Sequence, residues 1–155
     1  MDNKAKELEI YSKGEYPANV LSNFAPNGFD LDGVKCACME GFLQSLKFRN
    51  PQKQLKVCAL FGKEAKAVGS KKIIWKLTGN VWWQGARIKR IGDEFNNLIF
   101  RAYKALYTNS DFSRALDSTN GIQLKHSIGK HNKHKTILTE EEFVQILTLL
   151  RDDKN

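Results

Sequence analysis

No run of the chain approaches the roughly 20 consecutive apolar residues that a bilayer-spanning helix needs, so a membrane partner is not expected. The first residues, Met1-Asp2-Asn3-Lys4-Ala5-Lys6-Glu7, lack the apolar centre of a signal peptide. Cysteine is scarce, with only Cys36, Cys38 and Cys58. An odd count without a secretion signal argues against a disulfide framework and for reduced thiols in a cytoplasm. Cys36-x-Cys38 with a distant Cys58 is a poor zinc pattern, so three small buried hydrophobes are expected instead. Histidine is equally sparse. His126, His131 and His134 have no carboxylate or thiolate in their segment, and the lysines around them repel a cation, so neither a metal nor any other cofactor is expected. Acidic residues are in deficit, 17 against 25 Lys and Arg, which leaves a net charge of +8. Such a surface attracts nucleotides, nucleic acid or other polyanions. Repeats, linkers and low-complexity segments are absent, so residues 1–155 read as one domain, long enough for a real core.

The pattern is α+β. Leu8-Glu9-Ile10-Tyr11 alternates like a strand, and Val20 to Phe24 reads as the end of another. Asp32-Gly33 between Phe29-Asp30-Leu31 and Val34-Lys35-Cys36 is a strong type I′ hairpin signal. Asn50-Pro51 opens a helix as N-cap and N1, with Leu55, Cys58, Ala59 and Phe61 on its inner side. Glu64 to Val68 continues helically to Gly69, a C′ candidate. Residues 71–85 are ambiguous between strand and helix. Ile88, Ile91, Phe95, Leu98, Ile99, Ala102 and Leu106 keep helical spacing, with Arg87, Lys89 and Arg90 on a solvated start. Asn109-Ser110 caps a short helix to Asp117. Residues 122–128 alternate like a strand, a basic loop follows at 129–135, and Thr139 with Glu142 forms a capping box for a last amphipathic helix. Arg151 to Asn155 are expected to fray.

One segment carries chemistry. In Cys38-Met39-Glu40-Gly41-Phe42-Leu43-Gln44-Ser45-Leu46-Lys47-Phe48, the apolar Met39, Phe42, Leu43 and Leu46 share one helix face. Glu40, Gln44 and Lys47 share another. By spacing alone that polar row suits a solvated helix better than a pocket wall. Ser22-Asn23-Phe24 with Glu40, Gln44, Lys47 and Phe48 resembles the signature of the NADAR (YbiA-like) N-glycosidases. The resemblance runs from about Ser22 to the last helix and implies a compact, mostly helical domain with a small β-sheet. It implies that Glu40 and Lys47 are catalytic, and that Ser22, Asn23, Phe24 and Gln44 bind substrate. It also implies a tryptophan packed on the ligand, Trp83 first and Trp82 second, although two such tryptophans fit a core as well.

The implied activity is cleavage of a ribosyl–nitrogen bond in an ADP-ribosylated guanine, in nucleic acid or nucleotide form, or in a phosphorylated riboflavin intermediate. All of these are anionic. Three departures stand out: Gly41 where the family has His, Ser70 where it has Arg, and a 129–135 loop without its Trp-Gly motif and acid. Lys71 or Lys72 are the candidates to replace the arginine as point charges. These departures leave open a rival, the same fold as a binding module for nucleic acid, a nucleotide or a host protein, without turnover.

Overall fold

The computed structural model describes residues 6–153. The first-residue segment Met1–Ala5 and the terminal pair Lys154–Asn155 lie outside them. In chain order come β1 (Glu7–Glu9), α1 (Ala18–Leu21), β2 (Phe29–Leu31), β3 (Val34–Cys36), α2 (Met39–Ser45), α3 (Pro51–Cys58), α4 (Gly62–Gly69) and α5 (Ile74–Thr78). Then follow β4 (Asn80–Trp83), β5 (Ala86–Lys89), α6 (Asp93–Tyr107), α7 (Ser110–Asp117), β6 (Gln123–Lys125) and α8 (Glu140–Asp152). The architecture is α+β and mostly helical. Its strands pair two by two: β1 with β6 in parallel, and β2–β3 and β4–β5 as antiparallel hairpins. No helix of the described residues is long and apolar enough to cross a membrane.

Both hairpins turn on paired positive φ angles, Asp32 and Gly33 at 50° and 81°, Gln84 and Gly85 at 49° and 86°. The first is the expected type I′ turn. The second resolves part of the ambiguous 71–85 segment as strand and corrects the helical reading of Ile88 and Ile91. Ile88 fits a helical period, but it belongs to β5, and α6 begins only at Asp93. Ile91, counted with the helix, is exposed. The two tips meet: Gln84 donates to the Asp32 carbonyl (2.9 Å), while the Asp32 carboxylate takes Trp83 Nε1 (2.9 Å) and Arg101 (2.7 Å). The Arg101 bond holds the Asp32 carboxyl below the usual carboxylate range.

Other departures share one cause: a buried polar side chain satisfying backbone that the pattern could not assign. Residues 18–21 form a helical turn rather than a strand end, because Asn27 Nδ2 donates to the Val20 carbonyl (2.8 Å). On α3 the inner face carries Gln54, Val57 and Cys58, and Leu55, Ala59 and Phe61 are exposed. Gln54 donates to the carbonyls of Ser45 (3.0 Å) and Trp82 (2.6 Å), tying α2 to the second hairpin. Arg90 is not solvated. It is buried, paired with Glu142 at 2.6 Å, and stacked 4.3 Å over the Phe95 ring. Glu142 also closes the expected capping box with Thr139, so Arg90 anchors the start of α8. Arg151 does not fray, since its Nη1 donates to the buried carbonyls of Thr119 (2.8 Å) and Ile122 (2.7 Å). The hydrophobic core cluster runs through Phe42 of α2 and Leu46 just after it, Phe95, Ile99 and Leu106 of α6, and Phe143 and Leu147 of α8.

Candidate active site

Helix α2 is buried along its whole length, polar residues included. It is shorter than expected, ending at Ser45 rather than near Arg49. Leu46, Lys47 and Phe48 then donate to Leu43, Gln44 and Ser45, the i to i−3 bonds of a tightened turn. At three residues per turn, Lys47 lies directly above Gln44 instead of drifting off the row. Glu40 and Gln44 are linked by a 2.7 Å hydrogen bond from Nε2 to Oε1, both side chains over nine-tenths buried.

Two glycines make that burial achievable. A Cβ on Gly41 would come within 2.9, 3.1 and 3.2 Å of the carbonyl oxygens of Leu60, Val57 and Cys58. A Cβ on Gly69 would overlap the Gln44 carboxamide, 2.6 Å from its Cδ. So Gly41 lets α2 lie against the end of α3, and Gly69 is a close-approach residue rather than a left-handed C′ glycine. The departure at position 41 is a packing solution.

Ser22, Asn23 and Phe24 dock at the start of this helix. The Asn23 carbonyl accepts the Glu40 backbone N–H (3.0 Å), one of the unpaired donors of a first turn. Its side-chain Oδ1 accepts the hydroxyl of Tyr103, a fully buried residue of α6, at 2.8 Å. Ser22 Oγ accepts the Phe24 N–H (3.2 Å). These three residues and Glu40, Gln44 and Lys47 line one cleft of about 570 Å³. His126, from the end of β6, also lines it and is fixed by a 2.8 Å bond between Nδ1 and the Ile10 carbonyl.

Trp82 and Trp83 are not on this cleft, which corrects the expectation for both. They lie in β4 and are buried in the core. The Trp83 ring stands edge-on to Phe42, 5.1 Å between centroids, and the Trp82 N–H donates to the Leu46 carbonyl (2.9 Å). Both pack against α2 and the turn that follows it. The tryptophan nearest the chemistry is Trp75, whose ring centroid lies 5.7 Å from Lys47 Nζ. Phe24 is the aromatic side chain of the expected set that does line the cleft.

The electrostatics are lopsided. Glu40 is the one carboxylate on the lining, facing six lysines: Lys47, Lys66, Lys72, Lys76, Lys130 and Lys135. Burial raises the Glu40 carboxyl above its ordinary range, opposed by the Gln44 bond and by the charges of Lys66, Lys47 and His126. Burial brings the Lys47 amine down to about 8, opposed by Glu40 and assisted by Lys76, Lys130 and Lys66. Burial therefore favours the neutral form of both groups. Of the two lysines suggested at the missing arginine, Lys72 reaches the cleft, with Nζ 5.1 Å over the Phe48 ring, and Lys71 does not line it. Lys125, next to the basic loop, pairs with Glu7 at 2.9 Å. Lys66 and His126 were not among the expected site residues: Lys66 sits on a helix read only for its end at Gly69, and His126, weighed only as a metal ligand, sits on an alternating strand. Among the described residues, no group of three or more His, Cys, Asp or Glu is gathered as a metal site.

Residues 15–152 match the family described as Bacteriophage protein GP30.3. The chain belongs to that phage family. A relative from Enterobacteria phage T4, described as an uncharacterized 17.1 kDa protein in the Gp30-rIII intergenic region, is 38% identical over 148 residues. That alignment covers 94% of this chain and 97% of the T4 protein. Among solved structures, the E. coli protein YbiA superposes with a TM-score of 0.65 at 16% identity, covering 97% of this chain and 85% of YbiA. At that identity the match establishes the fold. This GP30.3 family member therefore has a YbiA-like fold.

Proposed function

We propose that this cleft cleaves the ribosyl–nitrogen bond of an anionic nucleotide, with an ADP-ribosylated guanine as the substrate the family resemblance favours. One observation carries the reading: Glu40, a carboxyl whose proton affinity burial raises, and Lys47, an amine brought down to about 8, share a cleft with five further lysines and no second carboxylate. A solvated helix face would bury neither group. The surrounding lysines suit the phosphates of such a substrate.

The chemistry balances on these two residues. Lys47 Nζ attacks the sugar C1 as the C1–N bond breaks, and Glu40 gives its proton to the departing base nitrogen. The new C1–N ammonium returns a proton to Glu40. The C1–O4 bond then opens, O4 taking the remaining N–H proton, to leave an imine on Lys47. Water adds across that imine and releases the sugar and the free amine. Asn23, held by Tyr103, and Ser22 supply fixed hydrogen-bonding groups for the sugar, and Phe24 supplies a face for a ring.

Two measurements test this. Borohydride added during turnover of an ADP-ribosylated guanine nucleotide is expected to fix a sugar adduct on Lys47, located by mass spectrometry. Turnover without any adduct rules out the imine. Tight ADP-ribose binding with no release from any ribosylated substrate makes the protein a binding module instead. The pH profile supplies the second test. The mechanism needs Lys47 neutral and Glu40 protonated, one proton on the pair, so kcat/KM is expected to be bell-shaped, with its alkaline limb at about 8. If Lys47 only grips phosphate as a cation, the acid limb is missing.

A further inference from the structure

We propose a second anion-binding pocket beside the cleft, built by Trp75, Lys76, Lys89, Lys133 and His134, that takes a phosphate group. The pocket measures about 240 Å³, and its lining contains no carboxylate. A water occupies about 30 Å³ of liquid, so a phosphate fits with part of its hydration shell. Two independent features point to an anion. First, the charges are uncompensated. Arg90 on the same wall is neutralised by Glu142, whereas none of Lys76, Lys89 and Lys133 takes part in an ion pair among the described residues. Three like charges around one concavity repel, and an anion between them removes that repulsion. Second, Trp75 is 1% exposed, yet its Nε1–H has no hydrogen-bond partner. The comparable donor of Trp83 has Asp32 at 2.9 Å. Trp75 lines this pocket, its buried indole N–H has no acceptor within the protein, and a phosphate oxygen is an acceptor.

Lys76 lines both this pocket and the cleft, and its Nζ lies 5.9 Å from the Trp75 centroid. The phosphate can therefore come from the far end of a ligand seated in the cleft or from a free anion. Neither source requires Glu40 or turnover, so the proposal stands or falls apart from the catalytic one.

The test is a titration of the full chain with inorganic phosphate at constant ionic strength, followed by the three tryptophan indole N–H signals in ¹H–¹⁵N spectra. The Trp75 signal is expected to move and saturate while the Trp83 signal stays in place. The double variant Lys89→Ala/Lys133→Ala is expected to weaken that response at least tenfold. Both side chains are exposed and unpaired, so the variant keeps its fold. A Trp75 signal that stays put, a linear response without saturation, or an unchanged response in the double variant overturns the site. ADP-ribose then separates the sources. If it moves the Trp75 signal and displaces phosphate, the pocket holds the outer phosphate of the cleft ligand. If it perturbs only cleft residues and phosphate still binds equally well, the pocket takes a free anion. Either result keeps the site.

Discussion

Glu40→Gln is expected to lower kcat by about 10²–10⁴-fold, the usual contribution of a positioned proton donor. The substitution is nearly isosteric. A glutamine carbonyl at position 40 still accepts the Gln44 Nε2 bond, now 2.7 Å, and the backbone N–H still donates to Asn23. ADP-ribose affinity and the near-ultraviolet circular dichroism are therefore expected to stay close to the parent's, so that the loss appears in kcat. A second readout separates chemistry from packing. The Glu40 carboxylate favours the charged form of Lys47. Removing it lets the Lys47 amine fall further below about 8, and with no Glu40 proton to lose, the residual activity is expected to rise to a plateau instead of falling at alkaline pH as in the parent. Parent-like turnover by Glu40→Gln refutes the assignment of Glu40 as proton donor.

Gly41→His, which restores the residue implied by the family resemblance, is expected to destabilise the protein by about 3 kcal/mol or more, and Gly41→Ala by about 1–3 kcal/mol. Helix propensity acts the other way, since alanine gains about 1 kcal/mol over glycine inside a helix. Contact decides the sign. The three atoms that a Cβ would meet, at 2.9 to 3.2 Å, are backbone carbonyl oxygens of residues 57, 58 and 60, which cannot swing aside as a flexible side chain would. Against a typical total of 5–15 kcal/mol, the histidine variant leaves little margin. Urea unfolding gives both values. A Gly41→His protein as stable as the parent would show that α2 can move off α3, and the packing account of this glycine would be wrong. The same result would bear on the site, because Glu40 and Gln44 are held by that contact.

The cleft explains why a polar row with the spacing of a solvated face is nonetheless buried. Glu40, Gln44 and Lys47 face a concavity whose other walls come from residues 22–24, 66–76 and 126–143. Periodicity gives the shared face of these side chains but not what stands opposite it. Of the residues that the family resemblance singled out away from the helix, Ser22, Asn23 and Phe24 line the cleft and Trp82 and Trp83 do not. Residues 80–89 form a hairpin that seats Trp82 and Trp83 in the core, and Gln84-Gly85 is a weaker turn signal than Asp32-Gly33.

What the sequence determined by itself is local. The Asp32-Gly33 turn, the Asn50 and Asn109 caps, the Thr139–Glu142 box and the apolar stripe of α2 each depend on residues within one or two turns of each other. The energies that fix them are short-range and show in the residue types. The tertiary structure decided everything that depends on a distant partner. Gln54, Arg90 and Arg151 are buried because carbonyls or a carboxylate 9 to 52 residues away satisfy them. Gly41 and Gly69 are needed because another segment lies against each of them. Lysines scattered from 47 to 135 come to line one cleft only when the chain closes around α2, and that closure buries Glu40, half-buries Lys47 and shifts their proton affinities toward each other.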